Sequence, residues 1–310
     1  MASIVAHSLT RLYGSNKAVD ALSFEVASGT VLGFLGPNGA GKSTTMRMLT
    51  GFLRPSAGRA VINGHNLETD ALAARQALGY LPEGAPMYPE MGVGEFLTFI
   101  GGIRGLRGHQ LTAALERVVS QLDLGAVMDQ SIGTLSKGFG RRVGIAQAMI
   151  HDPDVLILDE PTDGLDPTQK IQVRQLIQAM SKDKIIVIST HILEEVEILC
   201  NRIMVIAQGQ LKLDDTPDGV RRLSRYANAV SLVVDEPQAA ASKLSTLAEI
   251  AHVEVRRGRI TAFPRESEAI GPAVYALAQR ERWSISEFHL ESGRLDDVFA
   301  QITGATPDEH

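Results

Sequence analysis

The sequence is short of several things, and each shortage closes off a class of protein. It has a single cysteine, Cys200, among 310 residues, so no intramolecular disulfide is possible and the usage suits a reducing compartment. No apolar run approaches the roughly 18 residues that would suggest a membrane span. The opening Met1-Ala2-Ser3-Ile4-Val5-Ala6-His7 has no charged region followed by an apolar stretch, so neither secretion nor membrane insertion is expected. Nor is there a basic excess. With 30 Lys and Arg against 36 Asp and Glu the net charge is -6, and the pI of about 5.8 argues against an extended nucleic-acid footprint. The pairs Arg221-Arg222 and Arg256-Arg257 are too short to change that and read as solvated faces. What the chain does have is 44% hydrophobic residues, enough for one large core and a small second domain.

The strongest local pattern is Gly36-Pro37-Asn38-Gly39-Ala40-Gly41-Lys42-Ser43-Thr44, which fits a G-x-x-x-x-G-K-[ST] phosphate loop. Its glycines let main-chain N–H groups turn toward a β-phosphate. Lys42 supplies a compact cation for the β and γ oxygens, and the Ser43 hydroxyl suits a Mg2+ shell that is otherwise largely water. The flanks agree: residues 30–35 are a short apolar strand, and residues 44–49 begin a helix whose N-terminus favours anions.

A second element lies at residues 155–158, a four-residue aliphatic run ending in Asp159-Glu160. A buried strand of this kind delivers carboxylates at its C-terminal edge. In phosphate-loop chemistry the first acid holds Mg2+ and the next polarises a water for in-line attack on the γ-phosphate, so Asp159 is expected at the metal and Glu160 as the base.

Between these two elements runs Leu135-Ser136-Lys137-Gly138-Phe139-Gly140-Arg141-Arg142, followed by apolar residues at helical spacing. This resembles the signature loop of ATP-binding cassette (ABC) ATPases, in a variant with Lys and an aromatic at its third and fifth positions. Ser136 and Gly138 are the matching positions. A Ser hydroxyl and glycine N–H groups opening a helix form an anion site. The resemblance implies that two copies pack head to tail, with Ser136 and Gly138 of one closing on the γ-phosphate held by the other.

Further motifs of that family follow in order along residues 1–220. Tyr13 stands where an aromatic stacks on adenine, with a core tyrosine as the alternative. Asp166, in Asp163-Gly164-Leu165-Asp166, stands in the loop that links the two active sites. His191 closes the β-branched run 185–190, where the family has its switch histidine, and is expected to contact the γ-phosphate and orient the attacking water. One position departs from the pattern: Gly79-Tyr80-Leu81-Pro82-Glu83 occupies the place of the glutamine loop with a carboxylate instead of an amide. Glu83 is able to ligate Mg2+ through oxygen but brings negative charge and no donor; capping a solvated loop is the alternative. This Leu-Pro-Glu form, together with Leu-Ser-Lys-Gly and an aromatic, resembles a bacterial exporter branch that includes gliding-motility and copper-enzyme-maturation transport subunits.

The resemblance implies an α/β P-loop NTPase fold: a RecA-like core with an antiparallel β subdomain and a helical subdomain at about residues 88–150. The proline-bounded loop 84–91 offers Met87 and Tyr88 as a contact surface. In the family this region and the helices after it receive a coupling helix from a membrane-spanning subunit. Phe96, Phe99, Ile100 and Ile103 are expected on one face, mostly core, as are Leu111, Leu115, Val118, Val119 and Leu122.

After about residue 220 the character changes. Strands at 230–234, 252–256, 259–263 and 283–290 and helices at 238–247 and 267–280 give βαββαβ, the order of a ferredoxin-like sandwich over 225–310. A closing helix is expected around 295–299. The expected activity is ATP hydrolysis with ATP and Mg2+, in a cytoplasmic subunit peripheral at the inner face of the cell membrane. Its partners are a second copy and integral membrane permease subunits, with no nucleic acid. The alternative is a soluble ABC ATPase acting on nucleic acid or ribosomes; such proteins usually carry two cassettes, a coiled-coil insertion or basic tails, none of which is seen in this sequence.

Overall fold

The computed structural model describes residues 2–265 and 268–304. It divides into two compact units, the first ending at Asp215 and the second starting at Thr216.

The first unit opens with β1 (Ser3–Tyr13), β2 (Asn16–Ala27), β3 (Val31–Leu35), α1 (Lys42–Leu49), β4 (Ala57–Ile62), β5 (His65–Asn66), α2 (Ala71–Gln76) and β6 (Leu78–Leu81). Three helices follow, α3 (Val93–Ile103), α4 (Gly108–Gln121) and α5 (Lys137–Met149). The unit then alternates strand and helix through β7 (Val155–Asp159), α6 (Pro167–Met180), β8 (Ile185–Ser189), α7 (Leu193–Leu199), β9 (Arg202–Ala207) and β10 (Gln210–Asp215).

Two sheets result. An antiparallel one has the order β2-β1-β4-β5, and a six-stranded one has the order β10-β9-β3-β8-β7-β6, parallel from β9 to β6 with β10 antiparallel at its edge. Every residue of β3, β7 and β8 is buried, as their unbroken aliphatic runs require of strands covered on both faces. One apolar core joins the two sheets through α1, with Leu9 and Phe24 from one side, Phe34 and Ile157 from the other, and Met46 and Leu49 between them.

The helix α3 corrects the expected face. Its buried residues are Val93, Phe96, Leu97 and Gly101, whereas Phe99 is 45% exposed and Ile103 is 64% exposed. The segment is apolar nearly all round, so periodicity alone does not choose its inner side; packing does. At Gly101 a Cβ would lie 2.4 Å from Leu111 Cδ1, so α4 takes the side on which α3 is smallest. The outward side of α3 borders a groove of about 520 Å3 whose apolar lining includes Phe52, Leu72, Tyr80, Pro86, Ile100 and Ile103. In α4, by contrast, Val118 is buried and Leu111, Leu115 and Val119 are partly buried, which is the side expected. Among the described residues no helix is long and apolar enough to cross a membrane.

The second unit contains α8 (Pro217–Arg222), β11 (Ala227–Val234), α9 (Pro237–Leu244), β12 (Ile250–Arg256), β13 (Arg259–Pro264), α10 (Gly271–Arg280), β14 (Ile285–Ser292) and α11 (Leu295–Thr303). Ser267, the expected start of the α10 helix, lies outside the described residues. The sheet order is β12-β13-β11-β14, with every neighbouring pair antiparallel. Arg257 and Gly258, at φ of 49° and 81°, form the two-residue turn between β12 and β13, a turn that needs positive φ at both positions. Its core is Val230, Leu232, Leu244, Ile260, Val274 and their neighbours.

Candidate active site

The order β3-β8-β7-β6 sets four chain segments side by side at the C-terminal edge of a parallel sheet, where α/β sheets bind ligands. The phosphate loop leaves β3, His191 follows β8, Asp159 ends β7 with Glu160 directly after it, and Glu83 follows β6. Residues more than 100 positions apart in the chain become neighbours because each crossover returns its strand to the same sheet.

The loop at 36–41 is shaped by glycine. Gly39 and Gly41 have φ of 79° and 105°, a region that side chains rarely adopt. A Cβ at Gly36 would fall 2.3 Å from the Ile206 carbonyl oxygen, and one at Gly41 would fall 2.4 Å from that of Ala18. The loop therefore nests directly on main chain, and α1 starts at Lys42 with its first N–H groups unspent. Pro37, Ser43 and Thr44 are partly buried, Asn38 is exposed, and Ala40 is buried beneath the loop.

Lys42 Nζ donates to the carbonyl oxygens of Gly36 at 2.6 Å and Pro37 at 3.1 Å, so the ammonium is folded back over its own loop. Burial pulls it below its usual range, against the upward pull of Glu160, Asp159 and Glu83. Asp159 is buried, and burial pushes its carboxyl above the usual range; the Ser189 side chain and the Glu83 main-chain N–H oppose that rise, while the Glu83 charge adds to it. The Glu83 side chain itself is exposed.

Glu160 stands in the left-handed region at φ 51°, with its N–H donating to the Ser189 carbonyl oxygen at 2.8 Å. Its Oε1 accepts from His191 Nδ1 at 2.9 Å. An ionised carboxylate only accepts, so the Nδ1 proton lies on this bond and Nε2 of the ring faces away from it. The side chain of His191 is 70% exposed.

The remaining expected site residues are placed apart from this group. Tyr13 ends β1 at 48% exposure with the Arg11 guanidinium 4.9 Å from its ring centre, so it is a surface aromatic and not a core tyrosine. Ser136 caps α5, accepting from Phe139 N at 3.3 Å. Gly138 is buried against Gln169, and Asp166 caps α6 in a reciprocal pair with the same Gln169. Among the described residues, Ser136, Gly138 and Asp166 make no hydrogen bond to the phosphate loop, Asp159, Glu160 or His191.

Three contributors have no counterpart in the motif reading. Ser189 is a polar residue closing an aliphatic strand beside Asp159 in the sheet register. Glu195 is buried on α7, accepts from the Thr162 hydroxyl, and lies 3.5 Å from Lys170 Nζ and 3.7 Å from Arg174 Nη2. Arg141 is buried on α5. Arg141 stands beside Arg142, also buried, so no residue pattern in the sequence singles it out.

Comparison with known proteins shows the family. The sequence model of the ABC transporter family matches residues 19–163. Nod factor export ATP-binding protein I of Cupriavidus metallidurans is 34% identical over 295 residues, which is 95% of each chain. The chain belongs to the ABC transporter family. It is an ABC ATPase, an ATP-binding and hydrolysing cassette. ABC transporter A family member 1 of Dictyostelium discoideum is 34% identical over 239 residues; the match takes 76% of this chain and spans only 27% of that longer protein. A solved ATP-binding subunit of an ABC transporter superposes with a TM-score of 0.67 at 29% identity, over 71% of this chain and 92% of that one. The family assignment thus rests on sequence likeness along 95% of the chain and on shape along 71% of it.

Proposed function

We propose that this ABC ATPase is the energy-supplying subunit of a membrane exporter, closing as a head-to-tail dimer on two ATP molecules. The observation that carries the reading is a division of labour. Lys42, Asp159, Glu160 and His191 meet at one sheet edge, while Ser136 and Gly138 open a separate helix and bond to none of them. A single copy thus presents two half-sites, and a second copy supplies the complement of each.

In this reading the loop 36–44 wraps the phosphates with its N–H groups, and Lys42 leaves the carbonyls of Gly36 and Pro37 for the β and γ oxygens. Tyr13 stacks on the base. Glu160 accepts a proton from the attacking water, and His191, held at Glu160 by Nδ1, orients that water and the γ-phosphate. Ser136 and Gly138 reach the γ-phosphate of the partner's nucleotide, and Asp166 links the two sites. A hard divalent cation fits the donors present, a hydroxyl at Ser43 and a buried carboxylate at Asp159, while the exposed Glu83 acts on the site through its charge. Mg2+ held there supplies charge neutralisation of the phosphates as the bond to the leaving group breaks.

The apolar groove beside α3, with Tyr88 packed edge-on to Phe96 and Phe99, is read as the seat of a permease coupling helix. The subunit then lies at the inner face of the cell membrane. The full-length likeness to a Nod factor export protein supports the outward direction. Residues 225–310 are read as a ferredoxin-like accessory domain.

The test is Glu160→Gln. Losing a general base costs about 100-fold or more in turnover, and the variant is expected to scatter as a dimer with ATP and as a monomer without it. Normal turnover, or full-rate hydrolysis by isolated single copies, overturns the reading. Recovery with ribosomes in place of the membrane fraction, when co-expressed with a candidate permease, overturns the transport part alone.

A further inference from the structure

Arg141 lies five residues after Ser136 on the same helix and is 6% exposed. Its Nη2 donates to the carbonyl oxygen of Asp159 at 2.9 Å and also to that of Glu160. One nitrogen therefore bridges two successive main-chain carbonyls at the end of β7. The Nε of the same side chain is buried without a partner. For packing alone this is an expensive choice, since an apolar side chain of similar volume fills such a place with no charge to desolvate. Burial pulls the guanidinium below its usual range, and Asp163, Asp159, Glu160 and Glu83 together oppose that pull.

The backbone it grips is an unusual one. Glu160 sits at φ 51°, a conformation that costs a non-glycine residue energy and persists only where its surroundings hold it. Its N–H is held by the Ser189 carbonyl oxygen at 2.8 Å. Its C=O accepts from the Asp163 N–H at 3.1 Å in a local turn and, from outside that turn, from Arg141. With both flanking peptides pinned, rotation toward an ordinary extended or helical conformation is blocked, and the carboxylate stays where His191 Nδ1 meets it at 2.9 Å.

We infer that Arg141 is a positioning residue for ATP hydrolysis, fixing the Asp159-Glu160 main chain so that the Glu160 carboxylate keeps its place, and tying that geometry to the helix that carries Ser136 and Gly138. This rests on Glu160 as the base, as proposed above. Arg141 touches neither nucleotide nor water in this role. It acts through the peptide of Glu160, and because α5 is the helix opened by the signature residues, a shift of that helix on nucleotide engagement reaches the base of the same copy.

The experiment compares Arg141→Gln, Arg141→Lys and Glu160→Gln, alone and combined, in the full chain with MgATP. Turnover is expressed per folded molecule, counted by nucleotide-binding stoichiometry. Displacing a reacting group by about 1 Å costs about 100-fold, so Arg141→Gln is expected to lower kcat by about 10- to 100-fold. The Kd for ATP should stay within about threefold, which is less than 1 kcal/mol. Arg141→Lys keeps a donor for one carbonyl and is expected to recover part of the loss. In the Glu160→Gln background, adding Arg141→Gln is expected to cost almost nothing more, because the group it positions is already gone. A folded Arg141→Gln with parental kcat, or losses that multiply in the double variant, overturns the inference. If Arg141→Gln does not fold, Arg141→Lys decides by the same split of kcat from Kd, a parental kcat again overturning it. Glu160→Gln at parental rate overturns the base assignment itself; an inactive Glu160→Gln beside a fully active Arg141→Gln overturns only the role of Arg141.

Discussion

Gly138 lies so close to Gln169 that a Cβ at position 138 would sit 2.4 Å from Gln169 Oε1. The same Gln169 closes the cap of α6, its N–H donating to Asp166 Oδ1 at 2.8 Å while its Oε1 accepts from Asp166 N at 3.4 Å. The small residue that opens α5 and the acidic residue that opens α6 are therefore joined through one amide side chain. A larger residue at 138 has to displace the Gln169 amide, whether or not a nucleotide is bound.

Gly138→Ala is expected to push the Gln169 amide aside and cost about 1 kcal/mol, the usual worth of a helix cap. Gln169→Ala should cost a similar amount by itself. Because both act on one contact, the double variant is expected to be no less stable than Gln169→Ala alone. Thermal melts of the three variants check this, and strictly additive losses would show that the two residues are independent.

Gly41→Ala and Lys42→Ala should separate shape from charge in the phosphate loop. The first forces a Cβ to 2.4 Å from the Ala18 carbonyl oxygen at φ 105°, so stability and nucleotide binding should fall together. The strain itself amounts to about 1–3 kcal/mol. Lys42→Ala removes the ammonium with its aliphatic stem and the bonds to Gly36 and Pro37, and leaves the loop backbone unstrained. Its melting temperature should move little, while ATP binding or hydrolysis is lost; parental activity in that variant would refute the assignment of the loop.

Glu83 raises the negative field at Asp159 without being buried itself. Glu83→Gln is expected to lower the KM for MgATP by about 2- to 5-fold at low salt, with the gain shrinking toward 0.15 M salt as an exposed charge is screened. A weaker Mg2+ requirement curve in that variant, with KM raised, would instead make Glu83 a metal ligand.

His151 supplies a pH dependence of stability. Burial, with Arg104 nearby, pulls its pKa from 6.5 to about 4; its Nε2 lies 3.2 Å from the Leu78 carbonyl oxygen, and its Nδ1 is buried without a partner. The folded state thus keeps the ring neutral, with Nε2–H donating. As pH falls below 6.5 the unfolded chain takes up the proton first, so the contribution is complete above pH 6.5 and is lost progressively toward pH 4. The loss is on the order of 3 kcal/mol. Denaturant titrations of the parent and His151→Gln at pH 7 and pH 5 test it: the gap between the two proteins should narrow at the lower pH.

The strands and the nucleotide motifs were legible because their causes are local. An aliphatic run buried on both faces announces itself at 31–35, 155–159 and 185–189, and a loop that must wrap a phosphate needs Gly36, Gly41, Lys42 and Ser43 at fixed spacing whatever surrounds it. The same holds for the turn at Arg257-Gly258. The inner face of α3 was not legible in this way. Its residues are apolar on nearly every side, so the choice of Val93, Leu97 and Gly101 over Phe99 and Ile103 fell to the helix that packs against it.

Sequence alone thus determined the family and singled out the residues proposed to carry its chemistry, since each motif is a short stretch whose residue types are dictated by phosphate, cation and water. Only the tertiary structure decided who stands beside whom: Glu160 against His191, Gly138 against Gln169, and Arg141 beneath the end of β7. Those pairings span from 18 to 31 positions along the chain, and they exist because parallel strands return to one sheet edge and because a buried arginine must aim its donors at the nearest carbonyls.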